Sequence, residues 1–138
     1  MFHTAAIELP TTRKAEMIDV TKRVRAIVAA SGVQSGLCSV FCGHTTGAVT
    51  INENTDPDVQ TDILNALERA VPRNEKYYKH EEGNAHAHAK AAVLGSSETI
   101  PVQGGKLLLG TWQAIYFCEF DGPRTRNYHI KILGSVVT

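Results

Sequence analysis

Strand-like segments follow one another through the last third of the chain and point to a sheet-rich fold. They are apolar and rich in β-branched residues, and turn signals at residues 104–105, 110 and 121–123 separate them. We expect strands at residues 99–102, 106–109, 113–120 and 127–137. Because the connections are short, the sequence predicts that this part of the chain is mostly an antiparallel meander.

Three helical segments are predicted before these strands. The first covers residues 21–31, where valine and isoleucine recur at helical spacing after a possible cap at Thr21. The second begins at Asp56-Pro57, an aspartate N-cap followed by proline, and carries an apolar face up to residue 71. The third covers the alanine-rich residues 85–94 and is ended by Gly95.

Two further strands are expected at residues 37–41 and 48–51, on either side of a polar turn that contains His44. Helices combined with mostly antiparallel strands indicate an α+β fold. The chain has 138 residues, of which 43% are hydrophobic, enough for one core. We therefore expect a single domain over residues 1–138.

Charge and hydropathy argue against several classes of partner. Fourteen basic residues offset fourteen acidic ones, so neither nucleic acid nor an anionic membrane is an expected partner. No apolar run approaches the roughly 18 to 20 residues that span a bilayer. The first residues do not resemble a signal peptide, which predicts a cytoplasmic protein.

The three cysteines lie in apolar segments and are expected to be reduced core residues: Cys38, Cys42 and Cys118.

Residues 80–88 read His-Glu-Glu-Gly-Asn-Ala-His-Ala-His and hold three of the six histidines. Imidazole is a common transition-metal ligand and titrates near neutral pH, so the cluster indicates metal binding, proton transfer or both. The alternative is that these histidines are exposed polar residues of a loop. Taken together with the two adjacent glutamates, the cluster favours a functional site.

Spacing limits which histidines can share one ligand. His86 and His88 would lie about 200° apart around a helix, so they cannot both bind one metal from a regular helix. His80 and His88 can converge, and His44 is the natural third member. Three neutral imidazoles with one open position are typical of a catalytic zinc-type site, whereas a closed structural site would be expected to use thiolates.

Three other places carry candidate polar residues. Asn54 and Asp56 lie where the second helix begins, and they either cap it or orient a ligand in the site. Trp112 is expected to pack in the core, and the amide of Gln113 follows it at the start of a strand. The third place holds two arginines two residues apart, which suit phosphate or carboxylate groups unless they simply form a solvated strand face: Arg124 and Arg126.

Many spaced motifs across nearly the whole chain resemble the YjbQ-like family, which is also described as secondary thiamine-phosphate synthases. In chain order these motifs are His44-Thr45-Thr46, Ile51-Asn52-Glu53-Asn54, Asp56-Pro57, His80, Glu82-Gly83-Asn84, Ala87-His88, Leu94-Gly95, Ile100-Pro101-Val102, Leu109-Gly110-Thr111-Trp112-Gln113 and Glu119-Phe120-Asp121-Gly122-Pro123-Arg124. The resemblance implies an α+β fold with a β-sandwich-like core, assembled as a homotrimer with sites near the subunit boundaries.

The resemblance also implies a divalent metal, expected to be zinc with magnesium as the alternative, bound by His44, His80 and His88. The family's named activity joins a pyrimidine pyrophosphate to a thiazole phosphate, which gives thiamine phosphate and pyrophosphate. We therefore expect a small phosphorylated substrate, and regard the thiamine-phosphate reaction as a possible side activity. The alternative is a metal- or ligand-binding trimer that catalyses nothing.

The resemblance suggests roles for the remaining candidates. Glu82 or a histidine would move a proton, and Arg124 would bind phosphate oxygens. Asp56 is the third candidate catalytic residue. Four polar side chains are expected to contact the bound ligand: Thr45, Asn54, Asn84 and Gln113.

Overall fold

The computed structural model describes residues 2–137, in which the chain forms eight strands and three helices. None of these helices has the length and apolar composition needed to cross a membrane. In chain order the elements are β1 (Phe2–Pro10), β2 (Glu16–Asp19), α1 (Thr21–Ser31), β3 (Ser35–Cys42), β4 (Gly47–Glu53), α2 (Pro57–Ala70), α3 (Ala85–Leu94), β5 (Ser97–Gln103), β6 (Lys106–Leu107), β7 (Gln113–Glu119) and β8 (Thr125–Ser135).

The strands form two antiparallel sheets, which confirms the α+β prediction. The large sheet has the order β1-β8-β3-β5-β6, and the small sheet has the order β2-β7-β4. The expected meander is wrong, because β7 and β8 follow each other in the chain yet belong to different sheets. The turn at residues 121–123 sends the chain from one sheet to the other, and only β5 and β6 form a sequential hairpin within residues 2–137.

The main core lies between the two sheets and is closed by α1. The small sheet contributes Ile115 and Phe117, the large sheet contributes Ile130 and Ile132, and all four are fully buried. Burying such a side chain stabilises the fold by about 1.5–3 kcal/mol. Three valines at the start of α1 and within it complete this core: the N-cap residue Val20, and Val24 and Val28.

The opposite face of the small sheet is covered by α2 and α3. Small side chains line this second interface, where Ala48 and Ala114 of the sheet meet Ala87 and Ala91 of α3. Because both faces of β7 are covered, every residue of that strand after Gln113 is buried. The close packing of α3 places its first turns beside the start of β4, where the candidate histidines lie.

The cysteines are buried free thiols, as expected. Burial raises the pKa of Cys38 to about 11 and that of Cys118 to about 12. Thiols with such values are protonated at neutral pH, so they behave as small apolar side chains rather than as nucleophiles.

The helix ends follow local signals with one exception. Asp56 caps α2 by accepting a hydrogen bond from the Asp58 amide at 2.9 Å. Thr21 is not the cap of α1, because the carboxylate of Asp19 accepts the Thr21 amide instead. The Thr21 hydroxyl accepts the Ile115 amide at 2.8 Å, which ties α1 to the small sheet.

Candidate functional site

A polar cavity of about 360 Å³ opens where the turn after β3, the loop before α3 and the start of β8 meet. We call it the histidine–arginine cavity. Eight of the candidate residues named from the sequence line it: His44, Thr45, His80, Glu82, Asn84, His88, Arg124 and Arg126. Chain segments about forty residues apart in sequence therefore contribute to one site.

His80 and His88 are neighbours in this cavity. Their ring centroids lie 5.1 Å apart, and the rings meet edge to face at 83°. His88 is fixed on α3, whereas His80 belongs to the preceding loop. The two imidazoles are thus close enough to act on the same ligand.

His86 lies elsewhere, on the buried side of α3. Only 2% of its surface is exposed, and its Nδ1 has no hydrogen-bond partner among residues 2–137. Burial, together with the charges of Lys90 and Arg73, lowers the pKa of His86. It does not line the histidine–arginine cavity, because α3 is already regular at this position and directs His86 and His88 to different sides.

His44 is hydrogen-bonded to β8 of the large sheet, just beyond the point where β8 stops pairing with β3. The backbone amide of Asn127 donates a hydrogen bond to its Nε2 at 2.9 Å. Burial and the charge of Arg126 lower the pKa of His44, so its imidazole is neutral near pH 7. Its ring and that of Phe117 are nearly perpendicular, at 79°, with a centroid distance of 6.4 Å.

A buried ion pair forms the floor of the cavity. Glu119 is fully buried and Arg126 is 4% exposed. The guanidinium donates from Nε to one Glu119 oxygen at 2.7 Å and from Nη2 to the other, and Nη2 also donates to the Thr46 hydroxyl at 2.8 Å. Its remaining nitrogen, Nη1, has no protein partner among the described residues and is not enclosed, so it is open to the cavity that Arg126 lines.

Glu119 is ionised in this setting. Burial raises the pKa of its carboxyl group, but hydrogen bonds from Arg126, the Asp121 amide and Thr11, with the charge of Arg126, bring the pKa below its ordinary value. The Thr11 hydroxyl and the Asp121 amide each donate at 2.9 Å. Gly122 lies against this carboxylate, and a Cβ there would come within 2.8 Å of the Glu119 Cγ, so the turn requires glycine.

A second carboxylate orients the rim of the cavity. Asp121 accepts hydrogen bonds from Asn84 Nδ2 and from Arg124 Nη2, both at 2.8 Å. Burial raises the pKa of Asp121, but these two contacts and the charges of Arg124 and Lys14 lower it overall. The Arg124 side chain is half exposed. Asp121 thus fixes the side chains of Arg124 and Asn84 at the rim of the cavity.

Sequence reasoning missed Glu119, Asp121 and the special position of Arg126. The two-residue spacing from Arg124 to Arg126 was a signal for paired arginines, but it predicted two equivalent side chains. Arg124 instead precedes β8 at the surface, whereas Arg126 points inward from it. Glu119 gave no signal of its own, because it looks like the polar end of an apolar strand.

Three candidates lie away from the cavity. Asn54 donates from its side chain to Asp19 at 3.3 Å, Gln113 accepts the Gly110 amide at 2.8 Å, and Asp56 caps α2. Asn54 and Gln113 line a separate cavity of about 510 Å³. Within one chain this second cavity lies at the far end of β4 and β7, about 20 Å from the histidines at about 3.4 Å per residue.

Trp112 is 59% exposed, so the expectation that it packs in the core is wrong. It lies in the turn that precedes β7, and the first inward-facing residue of that strand is Ala114. The ring therefore has no access to the core.

Only part of a three-histidine metal site fits these positions. His80 and His88 have the right chemistry and proximity for two imidazole ligands. Among residues 2–137, no group of three His, Cys, Asp or Glu side chains is arranged to hold a metal ion. His44 is close by, but the Asn127 amide already occupies the lone pair of its Nε2.

Comparison with known proteins identifies relatives over almost the whole chain. The family model of the UPF0047 protein YjbQ-like family matches residues 5–135. The UPF0047 protein YugU of Bacillus subtilis is 47% identical over 93% of this chain and 97% of its own length. The UPF0047 protein MJ1081 of Methanocaldococcus jannaschii is 43% identical over 93% of this chain and 92% of its own length.

Solved structures agree with this assignment. An uncharacterised conserved protein of the YjbQ/UPF0047 family from Clostridium acetobutylicum superposes with a TM-score of 0.91 at 51% identity, covering 94% of this chain and 99% of that one. A YbjQ-like protein of unknown function from Sulfolobus solfataricus gives a TM-score of 0.94 at 37% identity over 98% of this chain and 99% of that one. The chain therefore belongs to the UPF0047 (YjbQ-like) family.

Proposed function

We propose that this protein is an enzyme that binds a small phosphorylated metabolite in the histidine–arginine cavity and catalyses transfer or hydrolysis on it. The observation that carries the proposal is the position of Arg126. A guanidinium held on one side by Glu119 and Thr46, with Nη1 open to a polar cavity, is arranged to bind an anionic oxygen. Because Glu119 fixes the fork, little side-chain entropy is lost on binding.

Other residues of the cavity supply complementary groups. Arg124 is half exposed beside Asp121 and adds a second positive charge near the bound phosphate. The Thr45 hydroxyl, at the turn after β3, is a further donor. Glu82 lines the same cavity and is the candidate for moving a proton during the reaction.

A divalent cation is part of this proposal, with zinc expected and magnesium as the alternative. His80 and His88 would hold it, because their rings are adjacent and face the cavity. When bound, such an ion supplies positive charge that stabilises a developing phosphate or pyrophosphate anion. This chain's residues retain their own roles, with the arginines binding phosphate oxygens and Glu82 exchanging a proton.

The family-type reaction, synthesis of thiamine phosphate, is part of this proposal. In that reaction a C–N bond forms between the two rings while the C–O bond to pyrophosphate breaks, so two phosphorylated molecules must bind together. A third cavity, of about 600 Å³ and lined by Arg73, Lys76 and Tyr78, shares His80 with the histidine–arginine cavity. Its cationic side chains are suited to the second anionic group.

Self-assembly into a homotrimer is also proposed, and an apolar row on the outer face of the large sheet supports it. Phe2, Leu133, Leu37 and Pro101 are register partners across four adjacent strands. Phe2 is 68% exposed, and Leu37 and Leu133 are each 50% exposed. The expected mass in solution is that of a trimer, and Leu37→Lys should reduce it while Thr61→Lys on α2 should not.

Calorimetric titration with inorganic phosphate and pyrophosphate tests the binding step. We expect Arg126→Lys to weaken pyrophosphate binding by tenfold or more, because lysine keeps the charge but cannot pair with Glu119 and the ligand at once. Arg69→Lys, on the exposed end of α2, is the matched control. Equal affinities for Arg126→Lys and the unmodified protein would contradict the proposal.

Turnover is tested separately by incubating the two thiamine precursors and measuring released pyrophosphate. The second candidate function is a metal- or ligand-binding trimer without catalysis, which the adjacent rings of His80 and His88 in the cavity also support. Under that reading, His88→Ala lowers ligand retention or trimer stability while every assay of turnover stays flat.

A cytoplasmic location is proposed as well, since the buried cysteines carry free thiols.

A further inference from the structure

We propose that His44 is not a metal ligand but a fixed hydrogen-bond donor, which presents Nδ1–H to the anionic group of the ligand. The claim that the acceptor is an anion rests on the function proposed above. The position of the proton on the ring follows from the fold alone. The key contact is the 2.9 Å hydrogen bond between the Asn127 amide and His44 Nε2.

A backbone amide can only donate, so the contact determines where the imidazole carries its proton. Nε2 must hold a lone pair to accept the Asn127 N–H. A neutral imidazole has one proton in total, and that proton is therefore on Nδ1. His44 is thus held in its Nδ1–H tautomer.

The reason for this contact lies in the register of the large sheet. β3 pairs with β8 only as far as Cys42, whose partner is Tyr128. Asn127 is one residue beyond that last pair, so β3 no longer supplies an acceptor for its amide. The His44 ring takes the place of the missing strand, and moving it would leave a backbone donor unpaired.

Metal ligation through either nitrogen conflicts with this arrangement. A metal on Nε2 would displace the Asn127 amide. A metal on Nδ1 would require the proton to move to Nε2, where it would face the Asn127 N–H across 2.9 Å. Metal-bound histidines ordinarily donate their second N–H to an acceptor, which is the opposite of the partner that His44 has.

The Nδ1–H group is available to a ligand. It has no protein partner among residues 2–137 and is not enclosed, and the ring lines the histidine–arginine cavity together with Arg126. Both side chains thus offer donors without an acceptor, a combination that suits an oxyanion. His44 is neutral and contributes a directional hydrogen bond, which fixes the position of one phosphate oxygen. The arginines contribute the positive charge that attracts the phosphate.

Nitrogen NMR of histidine-labelled protein tests the tautomer directly, since protonated and unprotonated imidazole nitrogens resonate far apart. We expect Nδ1 protonated and Nε2 unprotonated in His44 without any ligand, with the assignment made by loss of the signals in His44→Gln. Inorganic phosphate should then shift the Nδ1–H resonance. An Nε2–H tautomer would overturn the proposal, and an unmoved Nδ1–H in the presence of bound phosphate would overturn the donor role.

Variants separate this proposal from the function on which it builds. His44→Asn retains a donor near the Nδ1 position, whereas His44→Leu removes it, and His129→Asn on the exposed face of β8 is the control. We expect His44→Leu to weaken phosphate binding about tenfold, the effect of losing one hydrogen bond to a charged group, and His44→Asn to weaken it less.

Zinc titration with the same variants gives the second readout. His88→Asn should lower zinc affinity at least tenfold, whereas His44→Asn should leave it within twofold. Equal losses in both variants would overturn the proposal for His44. If the protein binds no zinc, the tautomer seen by NMR and the shift of the Nδ1–H resonance with phosphate decide the question. If the unmodified protein does not bind phosphate, that result contradicts the proposed function alone, because the tautomer is measured without a ligand.

Discussion

Replacing Glu119 with glutamine should destabilise the protein strongly although the two side chains have almost the same shape. Glu119 is fully buried and accepts hydrogen bonds from Arg126 Nε and Nη2, from the Thr11 hydroxyl and from the Asp121 amide. All of these partners donate. A glutamine amide would present its own N–H groups to at least one donor and would leave the guanidinium buried without a counter-charge.

The magnitude follows from the burial of the pair. Removing one partner of a buried ion pair costs about 3–5 kcal/mol, and the isosteric change to glutamine belongs at the lower end because one oxygen remains. We therefore expect a loss of about 3 kcal/mol in the free energy of unfolding. For a domain of this size, such a loss lowers Tm by roughly 10 °C.

Far-UV circular dichroism during urea and thermal unfolding measures this loss, at a fixed protein concentration so that any self-association affects all samples equally. Glu8→Gln makes the same chemical change on the exposed face of β1 and should cost less than about 0.5 kcal/mol. A loss below about 1 kcal/mol for Glu119→Gln, or one equal to that of Glu8→Gln, would refute the reasoning that a buried charge pair depends on this carboxylate.

Three further outcomes are expected. Asp56→Ala should cost about 1 kcal/mol in the free energy of unfolding by removing the N-cap of α2, and should leave phosphate affinity unchanged in calorimetric titration. Because the pKa values of Glu119 and Asp121 are lowered by folding, their contribution to stability is present above about pH 5 and lost as pH falls toward 3, which urea unfolding at several pH values measures. Ile130→Ala in the fully buried core should cost about 2–5 kcal/mol, measured by the same unfolding assay.

The helices could be predicted from the sequence because their signals are local. α1 and α3 have the expected bounds, Thr21–Ser31 and Ala85–Leu94, and α2 begins after the expected cap at Asp56. Glycine ends α1 in a left-handed conformation, as the sequence indicated. Capping, proline at the first turn and glycine at the end act within a few residues, so the neighbouring sequence contains most of the information.

The sheets were harder to predict, since pairing joins residues that are distant in sequence. Neither β1 nor β2 was among the expected strands, although β1 pairs with β8 from Phe2 to Pro10 and β2 pairs with β7. Short turns suggested that β7 would pair with β8. The alternation of buried residues identifies which side of each strand faces the core. It does not identify the sheet to which the strand belongs or the strand with which it pairs.

The candidate site was predicted in part for the same reason. The residue types in the segment from His80 to His88 and in the turn at His44 pointed to a shared site, and the fold brings His44, His80 and His88 to one cavity. Asn54 and Gln113 lie outside this cavity, at the far end of β4 and β7, because antiparallel pairing of these strands places Glu53 opposite Gln113 and Gly47 opposite Glu119. Which strand ends meet depends on register, and no local motif encodes that register.

The pair of Glu119 and Arg126 connects the stability of the fold to the site. Glu119 ends β7 in the small sheet and Arg126 belongs to β8 in the large sheet, so the ion pair joins the two sheets where the cavity opens. A well-packed apolar pair could fill the same volume with equal or greater stability, because two buried charges are expensive to desolvate. It would offer no N–H group to the cavity. Stability alone therefore does not account for this pair, whereas a rigid guanidinium with Nη1 open to an anion does.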